Sequence, residues 1–145
     1  MSIKSKYISA YLDIAYRVAE LSHARRLKVG AVIVKDDVIT YGYNGMPGGW
    51  DNTCEDEIFQ QDGTSGLKTK PEVLHAESNA ISKIARSTVS AQDADMFVTH
   101  SPCIECAKLI SQAGIRRLFY DKDYRSSDGI EFLKKSGVTV EKISK

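Results

Sequence analysis

The sequence predicts an α/β protein, a three-layer α-β-α sandwich around a mixed five-stranded sheet. Stretches with apolar residues at helical spacing alternate with short runs of β-forming residues, which gives the order α-β-β-α-β-α-β-α-β. In the second half, a helix separates each strand from the next, and such crossovers join parallel strands. The last three strands are therefore expected to be parallel.

The first elements are a helix and a hairpin. Apolar residues recur at helical spacing over residues 7–21. The runs at 29–34 and 38–43 flank an acidic tight turn and predict a β-hairpin. Residues 44–70 are rich in Gly, Asp, Thr and Gln and show no sustained period. So long a structureless loop within a compact domain is usually functional or disordered.

Helices and strands alternate in the second half. Pro71, a residue favoured at the first position of a helix, predicts a helix over 71–86. The elements expected after it are a strand at 96–99, a helix at 103–113 ended by Gly114, a strand at 115–120, a helix at 127–135 ended by Gly137, and a strand at 138–143. Because no internal repeat or low-complexity tract interrupts this order, residues 1–145 are expected to form one domain.

The composition argues against several classes of partner. The 145 residues are 42% hydrophobic and 27% charged, with a formal net charge of +1, so no overall field draws the chain to polynucleotides or anionic membranes. No apolar run approaches the roughly 20 residues of a membrane span. Residues 1–6 are basic but lead into an amphipathic segment rather than a signal peptide's apolar stretch. We expect a cytoplasmic location, the host cytoplasm if the source is viral.

Two short motifs carry the chemistry. His75-Ala76-Glu77 is expected early in one helix, and Pro102-Cys103-Ile104-Glu105-Cys106 at the start of the next. One imidazole and two thiolates leave the fourth position of zinc open, which is typical of catalytic sites. The sequence therefore predicts one catalytic Zn²⁺ held by His75, Cys103 and Cys106.

Glu77 is the expected proton carrier. It follows His75 by two positions, so its side chain is poorly placed to point in the same direction, which suits a carboxylate beside the reacting water rather than on the metal. A lone histidine is usually structural, and a lone C-x-x-C can be a redox pair or half of a zinc knuckle. Together, H-x-E and P-C-x-x-C are the signature of zinc deaminases.

Three further stretches resemble the deoxycytidylate (dCMP) deaminases of the cytidine deaminase superfamily. They are KVGAVIV at 28–34, GYNGMPGG at 42–49 and ECAKLI at 105–110, and the resemblance extends over residues 7–140. The GYNG stretch discriminates best, because tRNA adenosine deaminases and nucleoside deaminases lack that form. The resemblance implies a cytidine deaminase-like fold and hydrolysis of dCMP to dUMP and ammonia, which supplies dUMP for thymidylate synthesis.

The residues expected to bind substrate lie outside the zinc motifs or beside them. Arg26, at the expected end of the first helix, is the phosphate candidate by position and by resemblance, although a solvated helix end is the alternative. The segment 120–125 follows the carboxyl end of a strand, where α/β proteins bind ligands, but its tyrosines could equally be rim aromatics. The full set of candidates is Arg26, Asn44, Ala76, Ser101, Tyr120 and Tyr124.

The resemblance also implies regulation and assembly. Members of the family commonly form hexamers that are activated by dCTP and inhibited by dTTP with Mg²⁺. The glycines of residues 44–49 would let backbone N–H groups approach a phosphate, although a mobile turn explains them equally well. Candidate effector residues are Asn44, Gly45, Met46, Pro47, Gly48 and Asp51.

Some alternatives remain open at this point. A second zinc, present in some phage members, is not expected because only Cys54, His23 and His100 remain as ligands outside the motifs. A nucleic-acid editing deaminase is disfavoured by the near-neutral charge and the lack of a basic and aromatic strip. A non-catalytic zinc-stabilised subunit would have no use for Glu77.

Overall fold

The computed structural model describes residues 3–144, so Met1, Ser2 and Lys145 of the expected domain lie outside the described residues. The elements in chain order are α1 Ser5–Ala19, β1 Gly30–Lys35, β2 Asp37–Tyr43, β3 Glu55–Phe59, β4 Ser65–Thr69, α2 Ala76–Ala85, β5 Asp95–His100, α3 Ile104–Gln112, β6 Arg117–Lys122, α4 Asp128–Lys135 and β7 Thr139–Lys142. Within residues 3–144, no helix is long and apolar enough to cross a membrane.

The main sheet has five strands in the order β2-β1-β5-β6-β7. Strand β1 pairs antiparallel with both β2 and β5. Strands β5, β6 and β7 are parallel, with helices as the crossovers between them. The mixed five-stranded sheet and its parallel last strands confirm the prediction from the sequence.

Strand β1 shows how the sheet is buried on both faces. Ala31 and Ile33 point into the core beneath α2, α3 and α4, whereas Val32 and Val34 point to the opposite face, which α1 covers. These four side chains are almost fully inaccessible, as expected for a strand with helices on both sides. The molecule is therefore built in three layers, with α1 alone on one side among the described helices.

Residues 44–70 are not a structureless loop, and this prediction was wrong. Strands β3 and β4 pair antiparallel over their full length as a separate two-stranded sheet. Only Glu55 of these strands is buried, and every other residue is exposed or half-buried. Because the hairpin has no apolar face, its sequence lacks the alternation by which a strand is recognised.

Two helix boundaries also differ from the prediction. Helix α2 begins at Ala76 rather than Pro71, because Leu74 forms a two-hydrogen-bond bridge with Gly45 that keeps the chain extended up to the helix. Helix α1 ends at Ala19, so Arg26 lies in the irregular segment between α1 and β1 rather than at a helix end.

Candidate active site

The three predicted metal ligands converge where two helices begin. His75 is the N-cap residue of α2, Cys103 is the N-cap residue of α3, and Cys106 lies in the first turn of α3. The Nδ1 atom of His75 is 3.3 Å from the sulfur of Cys106 and 3.6 Å from that of Cys103, and all three ligand atoms lie within 4.8 Å of one another. Ligands about 2.0–2.3 Å from a tetrahedral zinc are roughly 3.5–3.8 Å apart, so this donor set fits zinc.

Two glycines allow these helices to approach their supports closely. A Cβ atom on Gly42 in β2 would lie 2.3 Å from the carbonyl oxygen of Ala76, and one on Gly129 in α4 would lie 2.2 Å from that of Pro102. Any side chain at either position would push away the first turn of α2 or the backbone before α3. Gly129 could be noticed in the sequence because it lies inside a predicted helix. A glycine there lowers helix stability by about 1 kcal/mol relative to alanine.

The thiols of Cys103 and Cys106 have pKa values shifted in opposite directions. Hydrogen bonds from Cys106 and His75 lower the pKa of Cys103 to about 3. The pKa of Cys106 is raised, because its thiol donates to Cys103 and is buried. The hydrogen bond to Cys103 also raises the pKa of His75. The lowered pKa of Cys103 favours its thiolate, the form in which a cysteine would hold zinc.

Glu77 lies beside this cluster with its side chain buried, only 4% of the residue being exposed. Burial raises the pKa of its carboxyl to about 7, although a hydrogen bond from its own backbone N–H and the nearby His75 ring favour the charged form. A carboxyl group that titrates near neutral pH can both accept and donate a proton during turnover. It lies next to the three clustered side chains without being one of them, and its role as proton carrier stays a prediction.

A cavity of about 450 Å³ opens beside these groups, which is within the usual range for small-molecule sites. Five of the six candidate substrate residues line it, namely Arg26, Asn44, Ala76, Ser101 and Tyr124. Tyr120 does not, because its side chain is 8% exposed and belongs to the core below. Two further cationic residues of the cavity wall, Lys122 and Arg125, flank Tyr124.

Two of the candidates hold neighbouring segments in place. The amide of Asn44 donates to the carbonyl oxygen of Leu27 and accepts the N–H of Val29, each at 2.8 Å. The hydroxyl of Ser101 accepts the N–H of Tyr124 at 2.8 Å. Both therefore shape the cavity wall, and direct contact of either with a substrate remains a prediction.

The sequence did not place several residues in this cavity. Cys54, Glu55 and Thr69 reach it because the β3–β4 hairpin folds over its side. His100 also lines it, and its Nδ1 atom is 2.8 Å from the hydroxyl of Thr99. No sequence signal placed these residues at the cavity, since their positions depend on the hairpin and on the strand register.

Most of the candidate effector residues lie outside the cavity lining. The N–H group of Gly45 donates to the carbonyl oxygen of Leu74, so it is not available to a phosphate, whereas Gly48 is exposed. The carboxylate of Asp51 accepts the N–H of Thr53 at 2.7 Å, which makes a local turn. The effector role of this loop, including Met46 and Pro47, stays a prediction.

Comparisons with known proteins agree on one family. The family described as "Cytidine and deoxycytidylate deaminase zinc-binding region" matches residues 5–122. ComE operon protein 2 of Bacillus subtilis is 38% identical over 131 residues, which cover 89% of this chain and 67% of that protein. Human deoxycytidylate deaminase is 37% identical over 124 residues, covering 81% of this chain and 66% of the human protein. The chain thus spans about two thirds of the length of these relatives.

A solved structure agrees with the same family. The crystal structure of a dCMP deaminase from the cyanophage S-TIM5, in complex with dCMP and dUMP, superposes with a TM-score of 0.87 at 41% sequence identity. The match covers 98% of this chain and 100% of that chain. The architecture found here therefore extends over the whole of that solved chain.

Proposed function

Because the chain belongs to the cytidine and deoxycytidylate deaminase family, we propose that it hydrolyses dCMP to dUMP and ammonia. The observation that carries this proposal is the position of Glu77, a buried carboxyl group beside a histidine and two cysteines in the wall of a cavity. A structural zinc site has no need of such a group, whereas hydrolytic deamination needs a proton carrier there.

We propose that His75, Cys103 and Cys106 hold one zinc ion per chain. When bound, zinc lowers the pKa of water to about 7 and so makes hydroxide available at neutral pH. Glu77 accepts a proton from the attacking water and protonates the ring nitrogen of the pyrimidine. It then takes the proton of the hydroxyl group newly formed on the ring carbon and delivers it to the departing amine, so that water and dCMP become dUMP and ammonia.

The cavity wall supports a substrate that carries a phosphate. Arg26 lies on one side of the cavity, and Lys122 and Arg125 line it after β6. If the phosphate makes two charge-assisted contacts of about 1.5–3 kcal/mol each, kcat/KM for a nucleoside without it is lower by roughly two to four powers of ten. We therefore propose strong preference for dCMP over deoxycytidine, with Asn44 at the sugar and Tyr124 over the base or the phosphate.

We also propose that residues 1–145 form one deaminase domain that acts in the cytoplasm and supplies dUMP for thymidylate synthesis. By family resemblance it would assemble as a homo-hexamer, activated by dCTP and inhibited by dTTP with Mg²⁺. The exposed backbone at Gly48 supports a nucleotide site in this loop, since a phosphate can approach it. Hyperbolic dCMP kinetics that neither nucleotide changes would reject the regulatory part.

The experiment is ammonia release from dCMP, deoxycytidine, CMP and dCTP by the zinc-loaded protein. We expect dCMP to be the best substrate, with kcat/KM at least a hundredfold above that for deoxycytidine. Comparable values for dCMP and deoxycytidine would reject the monophosphate assignment. Salt-sensitive binding and deamination of single-stranded nucleic acid would favour an editing enzyme instead.

A further inference from the structure

The open end of the β3–β4 hairpin meets the segment that carries Arg26. Glu55 and Thr69 are cross-strand partners at this end, and both line the cavity. The Glu55 carboxylate accepts the N–H of Arg25 with both oxygens, at 2.8 and 2.9 Å, and lies 3.4 Å from the N–H of Arg26. The Thr69 hydroxyl accepts an N–H of the Arg26 guanidinium at 2.9 Å. The hairpin therefore holds Arg26 at both its backbone and its side-chain end.

This double contact matters because Arg26 is an exposed residue of an irregular segment. A free arginine side chain loses rotamer entropy when it is fixed on a ligand. A guanidinium that is already held loses less, and after the bond to Thr69 it keeps four of its five N–H donors. Glu55 is only 6% exposed, so its charge is compensated by backbone N–H groups rather than by water.

We propose that Glu55 and Thr69 are positioning residues for Arg26, through which the hairpin sets the affinity of the cavity for the phosphate of a nucleoside monophosphate. The inference rests on the proposed function for the identity of the ligand. Glu55 fixes the backbone from which Arg26 extends, and Thr69 directs the guanidinium along the cavity wall. Neither residue needs to touch the phosphate itself.

The same hairpin offers matched controls. Glu57, on the same strand, forms only an exposed ion pair with Arg25 at 3.9 Å, a kind of contact that contributes little. The hydroxyl of Thr64, in the hairpin turn, donates a hydrogen bond to the carboxylate of Asp62. Glu57→Gln and Thr64→Val thus make the same chemical changes as Glu55→Gln and Thr69→Val without reaching Arg26.

The test compares the dissociation constants of dUMP and deoxyuridine for the zinc-loaded protein, by calorimetry. These compounds are the products of the proposed reaction, so they are not consumed, and their ratio isolates the phosphate. We expect Thr69→Val to weaken dUMP binding about five- to tenfold and deoxyuridine binding less than twofold. Glu55→Gln should weaken dUMP binding further, because an amide retains only one acceptor, and both controls should behave as the wild-type protein.

A double-mutant cycle with Arg26→Ala decides whether Thr69 acts through Arg26. We expect Thr69→Val to have no further effect on dUMP binding in that background. An undiminished effect there, equal weakening of both ligands, or equal affinity of the wild-type protein for dUMP and deoxyuridine would overturn the inference. If Glu55→Gln fails to fold, the Thr69 cycle alone decides. Failure of the proposed function shows separately, as a wild-type protein that releases no ammonia from dCMP.

Discussion

Gly129 lies directly against the backbone of Cys103, so that a Cβ atom at position 129 would come within 2.9 Å of the carbonyl carbon and oxygen of that ligand. The contact joins the first turn of α4 to the start of α3. Because this carbonyl group belongs to a proposed zinc ligand, packing between two helices and the geometry of the proposed metal site are coupled at this point.

Gly129→Ala is expected to lower the free energy of unfolding by about 1–3 kcal/mol, since the added methyl group overpacks a tightly closed contact. It should also lower the zinc content below one per chain, because Cys103 must shift. Urea unfolding and metal analysis measure the two effects. Gly66→Ala is the control, as its Cβ would meet only the Ile58 side chain at 3.6 Å. A stable Gly129→Ala protein with full zinc content would contradict the coupling.

The pair Asp95–Arg117 predicts a stability effect away from the cavity. The Arg117 guanidinium donates to both carboxylate oxygens of Asp95, at 2.6 and 2.8 Å, and the Asp95 side chain is 7% exposed. Arg117→Leu leaves that carboxylate buried without its main partner, so we expect a loss of about 3–5 kcal/mol in urea unfolding. Arg116→Leu, which removes a 3.6 Å contact from a half-exposed side chain, should cost under about 1 kcal/mol. Equal losses in the two variants would count against this assignment.

The main sheet and the clustering of the three candidate ligands were predictable because their signals are local. The strands have apolar runs, and His75, Glu77, Cys103 and Cys106 occur in two fixed motifs. The hairpin was not predictable, since neither of its strands buries an apolar face. The start of α2 was missed because the Gly45–Leu74 bridge, a contact across 29 positions of sequence, overrides the preference of Pro71 for a helix start. Thr69 reaches the cavity only as a consequence of that unpredicted hairpin.

Zinc binding predicts a difference between two buried cysteines. Cys106→Ser removes a ligand of the cluster, so we expect metal analysis to find less than one zinc per chain and a lower melting temperature. Cys54→Ser should retain one zinc, because Cys54 lines the cavity wall but is not one of the three clustered ligand atoms. Zinc at a hundred times its Kd would stabilise the folded protein by about 2.7 kcal/mol. A chelator should remove this stabilisation from the wild-type protein. Equal loss of zinc in both variants would contradict the assigned ligand set.

His100 predicts part of the pH dependence of stability. Burial and the nearby Lys122 lower the pKa of His100 below its ordinary value of 6.5, although Asp121 opposes them. As the pH falls through 6.5, the unfolded chain binds a proton that the folded protein does not, so the free energy of unfolding decreases until the pH passes the folded pKa. Urea unfolding at pH 7.5 and 5.5 should show a larger loss for the wild-type protein than for His100→Gln. An equal or larger loss in the variant would reject this contribution.

The most direct test of the account is ammonia release from dCMP by the wild-type protein and by Glu77→Gln at equal zinc content. Glutamine keeps the size of the side chain and cannot carry the proton, so we expect one zinc per chain in both proteins and a kcat about a thousandfold lower in the variant. A variant with full zinc and near wild-type kcat would contradict the role assigned to Glu77. A zinc-loaded wild-type protein that releases no ammonia would contradict the proposed reaction itself.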